Sequence, residues 1–134
     1  FADPLEGSGN LAPWEIESNR AVVRACVRKI SELAINLTPG DRRKLREVYA
    51  AVKETEEVAD SVRDQMMGDA ARSLGRYIVG VGASGLIELQ VMTTHIDAMH
   101  TLGVLTNQHH EQREHLITGL QALVVKKLAR LRAA

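Results

Sequence analysis

Aromatic side chains are scarce in this sequence: Phe1, Trp14, Tyr49 and Tyr77 make up 3% of its 134 residues. Strands draw on aromatic and β-branched residues, and sheets need frequent turns, so the shortage argues against a sheet protein. Proline is confined to positions 4, 13 and 39. Cysteine occurs once, at Cys26, which excludes an intramolecular disulfide and every zinc-finger spacing and fits a reducing compartment. An excess of either charge is also missing, since 17 Lys and Arg balance 17 Asp and Glu. No global field then draws the chain to phosphate backbones or anionic lipid, and nucleic acid is not an expected partner. No stretch approaches the roughly 20 uninterrupted apolar residues that cross a bilayer, and no basic segment followed by an apolar one opens the chain. Direct membrane insertion of this segment is not expected.

What the sequence does contain is apolar residues at helical spacing. Hydrophobic residues form 45% and charged residues 25%, the balance of an ordinary globular domain. Residues 1–13 hold two prolines and Gly7-Ser8-Gly9 without periodicity and read as a linker or tail before a single domain over 14–134. The first residue is Phe rather than Met, which fits a processed product or a piece of a longer chain. Val23, Cys26, Val27, Ile30, Leu33, Ala34 and Leu37 share one helical face and predict a helix over about 14–36. Asn36-Leu37-Thr38-Pro39-Gly40-Asp41 ends it, with Thr38 read as the cap of the next helix and Pro39 as its first residue.

A second stripe follows through Leu45, Val48, Tyr49, Val52, Ala59, Val62 and Met66. It is expected to run on past Gly68 and Gly75 to Ile78, because an isolated helix glycine costs only about 1 kcal/mol against alanine. Gly80-Val81-Gly82-Ala83-Ser84-Gly85 is the expected terminator; with no preceding strand and no following Gly-Lys-Ser/Thr, it is not a phosphate-cradling loop. A third helix from about 85 carries Leu89, Met92, Ile96, Met99, Leu102 and Leu105, and Thr106-Asn107-Gln108 is a candidate bend or break. The last segment presents Leu116, Ile117, Leu120, Leu123, Val124, Leu128 and Leu131 and ends in Lys126, Lys127, Arg130 and Arg132, cations suited to a helix C-terminus. The expected fold is all-α, an antiparallel bundle of three to four long amphipathic helices.

Chemistry-bearing residues gather in two places. In the run from Lys53 to Asp64, Glu56 and Asp60 lie one turn apart beside the apolar stripe, while Glu57 and Asp64 point further toward water. Like charges at that spacing repel by about 0.2–0.5 kcal/mol unless a cation sits between or across them. Hard cations favour such oxygens; a solvated acidic face eased by Lys53 and Arg63 is the plainer reading. His95, His100, His109, His110 and His115 gather late, but HExxH spacing is absent, and they read as exposed or boundary residues. His95 and His100 flank the third stripe, where either could meet the acidic flank of another helix. Cys26 reads as a small core residue, and Met66, Met67, Met92 and Met99 as core filling.

The run Val27-Arg28-Lys29-Ile30-Ser31-Glu32-Leu33-Ala34-Ile35-Asn36-Leu37-Thr38-Pro39-Gly40-Asp41, leading through Leu45 and Val48 to Thr55-Glu56-Glu57-Val58-Ala59-Asp60, is similar to PhoU-like domains. It most resembles the cytoplasmic PhoU-like tails of bacterial sodium/phosphate cotransporters. The family's motif usually reads Leu-Glu-Arg-Ile-Gly-Asp, and Glu56 and Asp60 are the positions that match it. Ser84-Gly85-Leu86-Ile87-Glu88-Leu89 and the ending Lys127-Leu128-Ala129-Arg130-Leu131-Arg132 resemble later helices of such a tail. The resemblance spans about residues 20–132. It implies a PhoU-like bundle that regulates phosphate transport without catalysis, on the cytoplasmic side of the cell membrane. The implied partners are a phosphate transporter or its membrane portion and further copies of the chain. Because the family's motifs coordinate iron or zinc or face the transporter, it also implies Glu56 and Asp60 as candidate metal ligands, with iron or zinc as the candidate cofactor.

Two other readings compete. One is a structural or signalling bundle that homodimerises through an apolar face without metal. The other is a di-metal carboxylate enzyme, which needs Glu-x-x-His pairs on facing helices; no glutamate here has histidine three residues later.

Overall fold

The computed structural model describes residues 12–38, 40–82, 87–105 and 109–133. Among them are five helices and no strand: α1 (Pro13–Ile35), α2 (Arg42–Ser61), α3 (Gln65–Gly82), α4 (Leu89–Val104) and α5 (His110–Ala133). The chain is therefore all-α, with one helix more than the apolar stripes suggest. No described helix is long and apolar enough to cross a membrane.

Helix α1 opens with Pro13 at its first position, where a missing N–H costs nothing. Pro13 thus belongs to the helix rather than to the N-terminal tail, the rest of which, residues 1–11, lies outside the described residues. At the other end, Leu37 N–H donates to Ala34 O and Asp41 N–H to Thr38 O. The cap of α2 is Asp41, not Thr38: its Oδ1 accepts from Lys44 N–H at 3.0 Å. Asp41 sits three residues before that exposed donor, the spacing a capping carboxylate needs. Gly40 reaches it with φ of +92°, a conformation open to glycine. Pro39 is outside the described residues.

The second stripe is two helices. The backbone turns at residues 62–64, where Arg63 N–H donates to Asp60 O and Asp64 N–H to Ala59 O, while Arg63 takes φ of +61°. This is the left-handed helix ending usually built on glycine. Asp64 then caps α3, its Oδ1 accepting from Met67 N–H at 3.2 Å. The helix does run through Gly68 and Gly75 to Gly82, as the glycine cost allows.

Helix α3 is central, packing against α2, α5 and α4, while α1 packs against α2 and α4. Burial on several sides explains its composition: Gly68, Ala70, Ala71, Ser73 and Gly75 are buried beside Met67, Leu74, Tyr77 and Ile78. Small side chains let helix axes approach closely, and at Gly80 an added methyl would collide with Leu128 of α5. Val23, Val27 and Ile30 of α1, Val48 and Val52 of α2, and Ile117, Leu120 and Val124 of α5 complete the core. Met67, Met92 and Met99 are buried in it. The segment 83–86 is outside the described residues; beyond it Glu88 N–H donates to the buried Tyr77 hydroxyl at 2.8 Å, fixing the start of α4 against α3. The candidate break at 106–108 also lies outside them, but α4 ends at Val104 and α5 begins at His110. The described residues of 87–132 thus hold two helices.

Candidate functional site

The elbow between α2 and α3 gathers a cluster of partly buried charge. On one side stands Arg72, two turns into α3. Its Nη1 donates to Glu56 Oε2 at 3.3 Å and Asp60 Oδ2 at 3.2 Å, and its Nη2 to Asp69 Oδ1 at 2.7 Å. Lys53 Nζ holds the other oxygen of Glu56 at 2.9 Å. The cation that the Glu56–Asp60 spacing requires is therefore a guanidinium from the neighbouring helix. Hydrogen bonding from Lys53, reinforced by Arg72, keeps the Glu56 carboxyl below its ordinary range although burial opposes this. Asp69, beside which Arg72 forms its shortest bond, also raises the affinity of Arg72 for its proton. Gly68 makes room: a methyl there would lie 2.7 Å from Asp60 Oδ1 and 3.1 Å from Arg72 Nη2.

On the other side, Arg113 of α5 donates from Nη2 to Asp64 Oδ1 at 3.1 Å. Both side chains are largely enclosed, 11% and 20% exposed. Asp64 thus caps α3 and ties α5 to the elbow, where the spacing had placed it toward water. Glu57 is exposed, as that spacing expects.

Next to the elbow lies a cleft of about 1060 Å³, walled by Ile16 and Arg20 of α1, Met66 of α3, Leu102 of α4, and Arg113 and Ile117 of α5. Its lining is as much acidic as basic, with Asp64, Asp69 and Glu114 against Arg20, Arg63 and Arg113. Arg20 Nη2 donates to Gly103 O at 2.9 Å, placing a cation at the C-terminus of α4 where the helix dipole favours it. The wall therefore offers no field of one sign to select an anion or a cation.

The histidines separate. His100, His109, His110 and His115 are exposed, and His110 faces Glu114 at 3.1 Å. His95 is fully buried, and its ring meets Val91 and Ser73 rather than the acidic flank. Its Nδ1 lies 2.9 Å from Val91 O and its Nε2 2.9 Å from Ser73 Oγ. A carbonyl only accepts, so Nδ1 carries the proton and Nε2 accepts from the Ser73 hydroxyl. Burial lowers the affinity of this ring for a second proton. The signal available in sequence is that His95 lies four residues from both Val91 and Met99, inside the stripe rather than beside it. Cys26 is half-buried, and burial, with Glu54 adding to it, raises its thiol above the ordinary range, which keeps it protonated at neutral pH.

Tested against iron or zinc, the arrangement does not fit. Glu56 and Asp60 already share a guanidinium, and among the described residues no three His, Cys, Asp or Glu side chains are grouped to hold an ion. The chain matches no protein-family model, no curated protein and no solved structure.

Proposed function

We propose that this chain is a non-catalytic regulatory domain of the PhoU-like kind, acting on phosphate transport or its control from the cytoplasmic side of a cell membrane. The membrane portion of a phosphate transporter is its partner in this reading. The observation that carries it is the placement of the Glu56–Asp60 motif: at the end of the second helix of an all-helical bundle, on the edge of the packed core and at the elbow leading into α3. A motif so placed can report a change at the bundle surface to the central helix. The chemistry of the interior supports a non-catalytic role, because the buried histidine is spent on Ser73 and Val91 and the thiol is held protonated.

The test is uptake of radiolabelled phosphate by cells making the whole gene product or the same product without this domain. Removal is expected to change the dependence of uptake on external phosphate. Identical uptake curves at equal expression would sink the reading.

A further inference from the structure

Three carboxylates around one arginine need a reason. Glu56, Asp60 and Asp69 come from two helices on either side of the elbow, yet all three place an oxygen within 3.3 Å of the Arg72 guanidinium. Without a cation among them, Glu56 and Asp60 repel along α2, and both repel Asp69 across the helix pair. An ammonium could neutralise only part of the cluster from one point. A guanidinium spreads its donors over a planar fork and serves oxygens on two sides, here Nη1 toward α2 and Nη2 toward Asp69 on its own helix. At Gly68 the missing side chain leaves the space beside Asp60 and Arg72 that this contact occupies.

We propose that Arg72 is the resident cation of the Glu56–Asp60 motif, and that the motif works as an internal guanidinium clamp joining α2 to α3 rather than as a set of metal ligands. The clamp excludes a divalent ion by competition: an ion would have to displace Arg72 and leave its charge beside the one it brings. It follows that the motif's affinity for metal is masked, and that removing the guanidinium unmasks it. Oxygens of this kind suit hard divalent ions. This inference stands apart from the phosphate-transport reading, whose uptake assay does not depend on which cation the motif holds.

The experiment is calorimetric titration of the purified chain with manganese(II) and zinc(II), with elemental analysis after dialysis. The wild-type chain is expected to retain no ion through the motif, so that Glu56→Gln combined with Asp60→Asn leaves its titration unchanged. Arg72→Met is expected to bind manganese(II) at least tenfold more tightly than wild type, and the gain is expected to vanish when Glu56→Gln and Asp60→Asn are added. Arg72→Lys, which retains a cation but reaches only part of the cluster, is expected to fall between wild type and Arg72→Met. Circular dichroism establishes that each variant is folded, and Gly68→Ala, which crowds Asp60 away from Arg72 without altering charge, supplies an independent opening of the clamp with a smaller gain. Stoichiometric metal on the wild-type chain that the double variant loses, or an Arg72→Met chain that binds no better than wild type, would overturn the proposal.

Discussion

Two arginines brace the same elbow in different ways. Arg72 holds Glu56, Asp60 and Asp69 at a surface where 39% of its side chain is exposed, whereas Arg113 holds Asp64 with 11% exposed. Burial separates the two ties. An exposed ion pair contributes about 0.2–1 kcal/mol because water screens it and two side chains must be ordered, while breaking an enclosed pair strands a desolvated charge and costs about 3–5 kcal/mol. The difference teaches that the two ties suit different work. Arg113 and Asp64 hold the elbow in place; the Arg72 clamp can open at little cost to the fold.

The largest break in that comparison is Asp64→Ala. It removes the α3 cap and the carboxylate facing Arg113, and about 3–5 kcal/mol of stability is expected to disappear in urea unfolding followed by circular dichroism. A loss below about 1 kcal/mol would mean that burial does not separate the two arginines. Arg72→Met comes next, with an expected loss of about 1 kcal/mol at low salt. In 1 M salt, where screening shortens to about 3 Å, the loss is expected to shrink while that of Asp64→Ala persists. Equal salt sensitivity would put both ties at the surface.

The smallest effect sharpens the comparison by titration. The His95 ring has its proton affinity lowered in the fold from the ordinary value of 6.5. Below that pH the unfolded chain binds more protons than the folded one, so stability is full above about 6.5 and declines as the solution is acidified. Glu56 works in a lower window: its carboxyl is held below 4.5, so its contribution is present above 4.5 and fades as pH falls through its folded value. His95→Gln is expected to remove the decline between pH 6.5 and 5 and leave the acid limb intact; melting temperatures across that range check it, and an unchanged profile would assign the decline to other groups.

The helical class, the apolar stripes of α1 and α5 and the path through Gly68 and Gly75 were legible in sequence because one-sided helices write their burial as a period. Helix α3 is different. It packs against three neighbours along a wide apolar face, leaves Gln65, Arg76 and Val79 exposed, and continues the stripe of α2 closely enough that the two merged in the reading. The break itself was hidden because its left-handed residue is Arg63, not glycine, so the strongest local punctuation mark is absent. The acidic pair was visible at Glu56 and Asp60, as was Lys53, which does reach Glu56; the guanidinium that bridges the pair was not. Arg72 lies 12 residues beyond Asp60, and only the pairing of α2 with α3 brings them together.

The hydrogen bond between His95 and Ser73 also constrains how α4 can slide along α3. Apolar contacts tolerate a shift of one helical turn, because one aliphatic side chain can replace another. A shifted α4 would strand an imidazole nitrogen and a hydroxyl in a dry interior, each without a mate, at a cost of about 1–3 kcal/mol apiece. A single polar contact, contributing little net stability, thereby selects one alignment of two greasy helices from its neighbours on the ladder.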